Sequence, residues 1–171
     1  NYVMVENYNV KVSPTLGNNE ELGKYIDVNG VKLYYEMYGK GEPLLLIHGN
    51  NTSMAIFRNQ LDILSKKYLV IGLDSRGQGK STSNETKITY ELMADDVNTF
   101  LDKLNLKNVD ILGWSDGGNI AVILAMNHPD KVNKMAIMGT VLYNDDTSVK
   151  PEINKLIHNQ LKDWDEKGIS K

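Results

Sequence analysis

The sequence predicts an α/β architecture, a mostly parallel sheet flanked by helices, from three observations. Short continuous apolar runs recur along the chain, segments of helical periodicity separate them, and an Asn-Gly pair joins two β-rich runs near the start. Residues 1–24 mix Asn, Glu, Val and Gly with weak periodicity and read as a poorly packed lead-in. Tyr25 to Val28 and Val31 to Tyr38 flank Asn29-Gly30, a strong short-range signal for a hairpin. Leu44 to Ile47 is a short apolar run ending in His48-Gly49, as expected of a parallel strand buried on both faces. Tyr68 to Leu73, Val109 to Leu112 and Met135 to Met138 have the same character.

Between these runs, Phe57, Leu61 and Leu64 share one helical face, and Met93, Val97, Phe100, Leu101 and Leu104 share another. Thr89 is placed to cap the second helix, with Glu91 in its first turn. Ile120 to Met126 is apolar all round, which marks a helix enclosed by other elements, and Asn127-His128-Pro129 ends it. A last amphipathic segment, 150–167, sets Ile153, Leu156, Ile157, Leu161 and Trp164 at helical spacing and needs a surface to cover that stripe.

Composition narrows the function classes. With 171 residues, 41% hydrophobic and 24% charged, the chain has the make-up of a globular domain, which argues against disorder as its main state. A net charge of -3, with no cluster of Lys and Arg, supplies no footprint for a phosphate backbone, so nucleic acid is not an expected partner. Zero Cys removes disulfides, thiolate-held zinc and a thiol nucleophile together. No apolar run approaches the roughly 20 residues of a membrane span. The opening residues lack a basic segment followed by an apolar one, as expected if a targeting peptide was removed or never present.

The segment that carries chemistry is Val109-Asp110-Ile111-Leu112-Gly113-Trp114-Ser115-Asp116-Gly117-Gly118. Gly-x-Ser-x-Gly directly after a buried strand and before a helix is the pattern of a nucleophile elbow, a sharp turn that lifts the Ser hydroxyl above the sheet. Side chains at Gly113 and Gly117 would collide with the neighbouring strand and helix. The helix N-terminus offers N–H groups and a partial positive charge to a developing oxyanion.

With this elbow the chain resembles the α/β-hydrolase family, and further motifs join the match. Leu45-Leu46-Ile47-His48-Gly49-Asn50 is similar to the family's strand ending in His-Gly-x, and Asp74-Ser75-Arg76-Gly77-Gln78-Gly79-Lys80-Ser81 to its structural D-x-R-G-x-G-x-S loop. The Gly-Trp-Ser-Asp-Gly-Gly elbow resembles that of valacyclovir-hydrolase-like esterases. The resemblance spans about residues 25–142. It implies Ser115 as nucleophile and the backbone N–H groups of Asn50 and Asp116 as oxyanion donors, with a small ester-like molecule as substrate and neither cofactor nor metal. It further implies a lead-in over 1–24, a core over 25–148 and the start of a lid over 149–171.

Other residues compete for these roles. Gly79-Lys80-Ser81 has the tail of a P-loop, but Asp74 stands where that loop needs its first glycine. His48 belongs to the structural His-Gly pair, His128 closes a helix, and His158 lies on the terminal amphipathic segment. Asp145 and Asp146 follow the last strand and read as a solvated turn. In the family the order is Ser, acid, His, and neither His128 nor His158 stands where the resemblance places the base. The expectation is therefore the N-terminal part of a larger hydrolase, an α/β-hydrolase fold lacking its C-terminal strands. Such a chain is nearly inert alone, since loss of the base costs ~10⁶ in turnover. An uncovered sheet edge and lid stripe then predict association, with a missing C-terminal segment or through the edge itself. The rival reading is a non-catalytic hydrolase-like module that binds a small molecule or a protein. A perhydrolase or a C–C hydrolase on the same triad is a third.

Overall fold

The computed structural model describes residues 15–84, 86–141 and 155. Six strands, β1 (Lys24–Val28), β2 (Val31–Tyr38), β3 (Glu42–Ile47), β4 (Tyr68–Leu73), β5 (Val109–Trp114) and β6 (Val132–Met138), form one sheet in the order β1-β2-β4-β3-β5-β6. Among the described residues three α-helices of a turn or more accompany them: α1 (Arg58–Leu64), α2 (Tyr90–Lys103) and α3 (Asp116–Asn127). The chain divides into two compact units, Asn1–Thr140 and Val141–Lys171. All the elements named lie in the first.

The Asn-Gly hairpin forms as the sequence predicts: Asn29 and Gly30 take φ of 44° and 79°, the double positive φ that a type I′ turn requires. β1, β2 and β4 pair antiparallel, whereas β4, β3, β5 and β6 run parallel. From β3 the chain passes through α1 to β4 on one side, then through α2 to β5 on the other. That reversal makes the carboxyl ends of β3 and β5 a topological switch point, where open α/β sheets bind their ligands.

Alternation along β3 builds two cores. Leu45 and Ile47 pack with Ile71, Phe100, Leu101, Ile120 and Leu124 on one face, and Leu44 and Leu46 with Met54, Phe57, Leu61 and Val70 on the other. This is the two-faced burial that the continuous apolar run implies. Thr89 caps α2 by accepting from the Leu92 N–H at 3.2 Å, and Glu91 lies in the first turn.

Three features depart from the sequence reading. The end of the lead-in is anchored: Leu16 is buried, and the N–H groups of Gly17 and Asn19 each donate to the Glu36 carboxylate at 2.9 Å. Glu36, buried on β2, also accepts from the hydroxyls of Tyr34 at 2.6 Å and Tyr38 at 2.7 Å. Four donors offset the cost of burying this carboxylate. Secondly, β6 forms but is not buried: Met135, Ile137 and Met138 are 37%, 39% and 47% exposed. Thirdly, α3 is not enclosed, since Ile120, Ala121 and Leu124 are buried whereas Met126 is 76% exposed. The last two share a cause, for β6 ends the sheet and no described strand lies beyond it.

Candidate active site

The sheet register aligns the two segments singled out in the sequence. Ile47 at the end of β3 is paired with Gly113 on β5, so His48-Gly49-Asn50 and Trp114-Ser115-Asp116 leave the sheet side by side. Ser115 has φ 53° and ψ −120°, a conformation costly for a residue with a side chain. It occupies the N-cap position of α3 but does not cap it with its hydroxyl, although Ser is among the best capping residues. Its backbone is tied down instead, with its N–H donating to Met138 O at 2.8 Å and its carbonyl accepting from the Gly118 N–H at 2.9 Å.

The glycines around the turn show why it can exist. A Cβ on Gly113 would stand 2.7 Å from Gly117 O, and one on Gly117 would collide with the Ile47 carbonyl. Gly118 faces Thr140 as closely, and a Cβ on Gly49 would lie 3.0 Å from Ser115 Cβ. Bare backbone is thus needed on both sides of the serine and in the loop passing over it.

His48 organises that loop. Its ring is buried, Nε2 accepts from the Ser75 N–H at 3.0 Å, and Nδ1–H donates to Gly49 O at 2.7 Å. Burial pushes the imidazole below its ordinary value of 6.5, against the opposing pull of the Gly49 carbonyl, Asp74 and Asp116. Both nitrogens are engaged in a neutral ring, so His48 is a structural brace. In a trans peptide the Gly49 carbonyl and the Asn50 N–H point in opposite directions, so holding the first fixes the second. Asp74, beneath, accepts from the N–H groups of Met54 and Lys80, both at 2.8 Å, while burial pushes its carboxyl above the usual range.

Asn50 and Asp116 both line a cleft of about 560 Å³, together with Gln78, Tyr90 and Glu91. Tyr90 donates to Asp116 Oδ1 at 2.9 Å, and burial, reinforced by that bond, pushes its phenol up to about 12. No sequence signal marks this pair, because 26 residues separate its members. The two acids give the cleft negative character, and no Lys or Arg is among the described residues that line it.

The remaining candidates lie elsewhere. His128 follows α3 at the end away from the elbow, roughly 20 Å from Ser115 at 1.5 Å per residue. His158, Asp145 and Asp146 lie outside the described residues. Among the described residues no group of three or more His, Cys, Asp or Glu could hold a metal ion, and no helix is long and apolar enough to cross a membrane.

Known proteins share this arrangement. The family model for the alpha/beta hydrolase fold matches residues 42–167. The chain belongs to the α/β-hydrolase fold family. Among curated members of that family, mouse Serine hydrolase BPHL is 36% identical over 124 residues, covering 69% of this chain and 43% of the relative. The 2-hydroxymuconate semialdehyde hydrolase of Pseudomonas sp. strain CF600 is 32% identical over 127 residues, covering 72% and 45%. Of solved α/β-hydrolase structures, an esterase from Exiguobacterium antarcticum superposes with a TM-score of 0.72 at 34% identity, covering 83% of this chain and 57% of that one. The chain spans less than half the length of the curated relatives it matches.

Proposed function

We propose that the chain carries the nucleophile and oxyanion half of a serine hydrolase acting on a small carboxylic ester, thioester, lactone or activated amide. In this reading Ser115 Oγ attacks the carbonyl carbon, and the N–H groups of Asn50 and Asp116 receive the oxyanion of the tetrahedral intermediate. Collapse of that intermediate expels the alcohol, thiol or amine, and water then releases the acid from the acyl-enzyme. The observation that carries the reading is the Ser115 turn, a strained serine at a strand end whose hydroxyl does not cap its helix. The mouse and Exiguobacterium relatives, named as a serine hydrolase and an esterase, support the class. The base and acid are assigned to residues outside those described, since His48 is fully engaged and His128 is distant.

The test is the intact mass of the purified 19.2 kDa chain before and after a fluorophosphonate, with the adduct mapped. An adduct on Ser115, abolished in Ser115→Ala, is the expected result wherever a base reaches the serine. If no adduct forms even when the relatives' remaining length is supplied in one polypeptide, the non-catalytic binding module replaces the hydrolase.

A further inference from the structure

The cleft beside the elbow has one wall whose chemistry the reaction above does not use. Gln78 stands between that cleft and a second, polar cavity of about 400 Å³ lined by Asn51, Thr52, Ser53, Gly77 and Gly79. Its backbone is fixed, with N–H donating to Ser75 O and carbonyl accepting from the Ser81 N–H, both at 3.0 Å. Its side chain is different, because Oε1 is buried and has no hydrogen-bond partner among the described residues. A buried amide oxygen without a donor is unfavourable, and native proteins keep few of them. The terminal torsion of a glutamine is broad, so the carboxamide can turn its oxygen toward the cleft when a donor arrives there.

We propose that Gln78 is a specificity-determining residue, accepting a hydrogen bond from a neutral donor, a hydroxyl or amide N–H, on the part of the substrate that occupies the cleft lined by Asn50 and Asp116. The assignment rests on reading the cleft as the acyl-transfer site. One feature favours a neutral over a cationic donor at Gln78, and a second disfavours an anionic group. Among the described residues, the wall around Gln78 in the second cavity carries no charged side chain, so none there would draw a cation. In the cleft an anionic group would meet Asp116 and Glu91, with no Lys or Arg among the described lining residues. A site built around an acceptor rejects the analogue that lacks the donor, because the acceptor is then left unpaired.

Two ligands that cannot be hydrolysed isolate this contact, 4-hydroxy-2-pentanone and 2-pentanone, titrated into the isotopically labelled full chain and followed by NMR. The hydroxyketone is expected to bind about three- to tenfold more tightly, the span of one neutral hydrogen bond, and to shift the Gln78 side-chain amide resonances. Gln78→Leu should bring the ratio to about one, and Gln78→Glu, which keeps an acceptor, should retain the preference. Equal affinities in the unsubstituted chain, no binding of the hydroxyketone, or a preference that survives in Gln78→Leu would each overturn the proposal. If the leucine variant does not fold, the Gln78 amide shift in the unsubstituted chain decides: perturbation by the hydroxyketone alone supports the contact, and its absence rejects it. Failure here is separable from failure of the hydrolase reading. A chain labelled at Ser115 with equal affinities loses only the Gln78 contact. If the polypeptide extended by the relatives' remaining length stays unlabelled while the preference is intact, the acyl transfer is lost and Gln78 remains a ligand-binding contact only.

Discussion

Gly117 and His48 show how single residues hold the elbow and the loop over it. A methyl group at 117 would meet backbone atoms of Ile47 and His48, which cannot swing aside as the end of a flexible side chain would. Gly117→Ala should therefore destabilise the fold by about 1–3 kcal/mol or more, read as a lowered urea midpoint. Substitution at Gly30, where a Cβ would meet only the end of Asn84, should act through its positive φ alone. His48 yields a pH dependence. Its folded value lies below 6.5, so between the two values the unfolded chain binds the extra proton, and stability rises with pH. That contribution is complete above 6.5 and is lost as the pH falls through it. Asp74 faces His48 with its own value raised, which gives the opposite slope over the window from 3.8 up to that raised value. Asp116 acts on the ring as well, favouring its charged form. Urea unfolding at pH 7.5 and 5.5 should show a loss for the parent chain, and a smaller loss for His48→Gln, which has no proton to gain.

Single elements are tied together by polar contacts that sequence spacing does not reveal. Arg76, on the loop after β4, donates to Asp96 of α2 through Nε and Nη2, both at 2.7 Å, and to Asn29 O in the hairpin turn at 3.2 Å. Asn29 in turn donates to Asp95 and Asp96, both at 3.0 Å. Hairpin, loop and helix are thus locked at one buried, bidentate pair whose side chains are 1% and 3% exposed. Removing one partner leaves the other charge buried and uncompensated, so Arg76→Ala should cost about 3–5 kcal/mol in urea unfolding. The exposed pair Lys32–Asp27 should leave the midpoint nearly unchanged when broken. The Arg76 loop also carries Gln78 and supplies the Ser75 N–H to His48, so its geometry reaches the cleft. For Arg76 the sequence supplied only a motif likeness. Asp96, 20 residues away, became its partner through the packing of α2.

At the scale of the whole molecule, β6 is the weak point of the described fold. It is the sheet's terminal strand, and its apolar side chains, with Met126 of α3, remain in contact with solvent. Unpaired edge groups and apolar side chains together favour pairing with another chain. Light scattering coupled to gel filtration should show association that grows with concentration, and Ile137→Lys, a charge on the edge strand, should shift the chain toward monomer. A monomer at every concentration would remove the association reading.

The sequence by itself determined the element order, the hairpin, the helix cap and the placement of Ser115 in a glycine-flanked turn. These depend on local chemistry: side-chain period, φ preference, capping and the steric need for glycine are written within a few consecutive residues. Tertiary structure alone decided that Gly17 and Asn19 dock on Glu36, that Tyr90 bonds to Asp116, that Gln78 Oε1 is buried without a partner among the described residues, and that β6 and α3 stay partly exposed. An apolar run such as Met135 to Met138 reads the same at the middle of a sheet as at its edge. Burial is a property of what packs against a strand, and that is set by contacts between segments far apart in the chain.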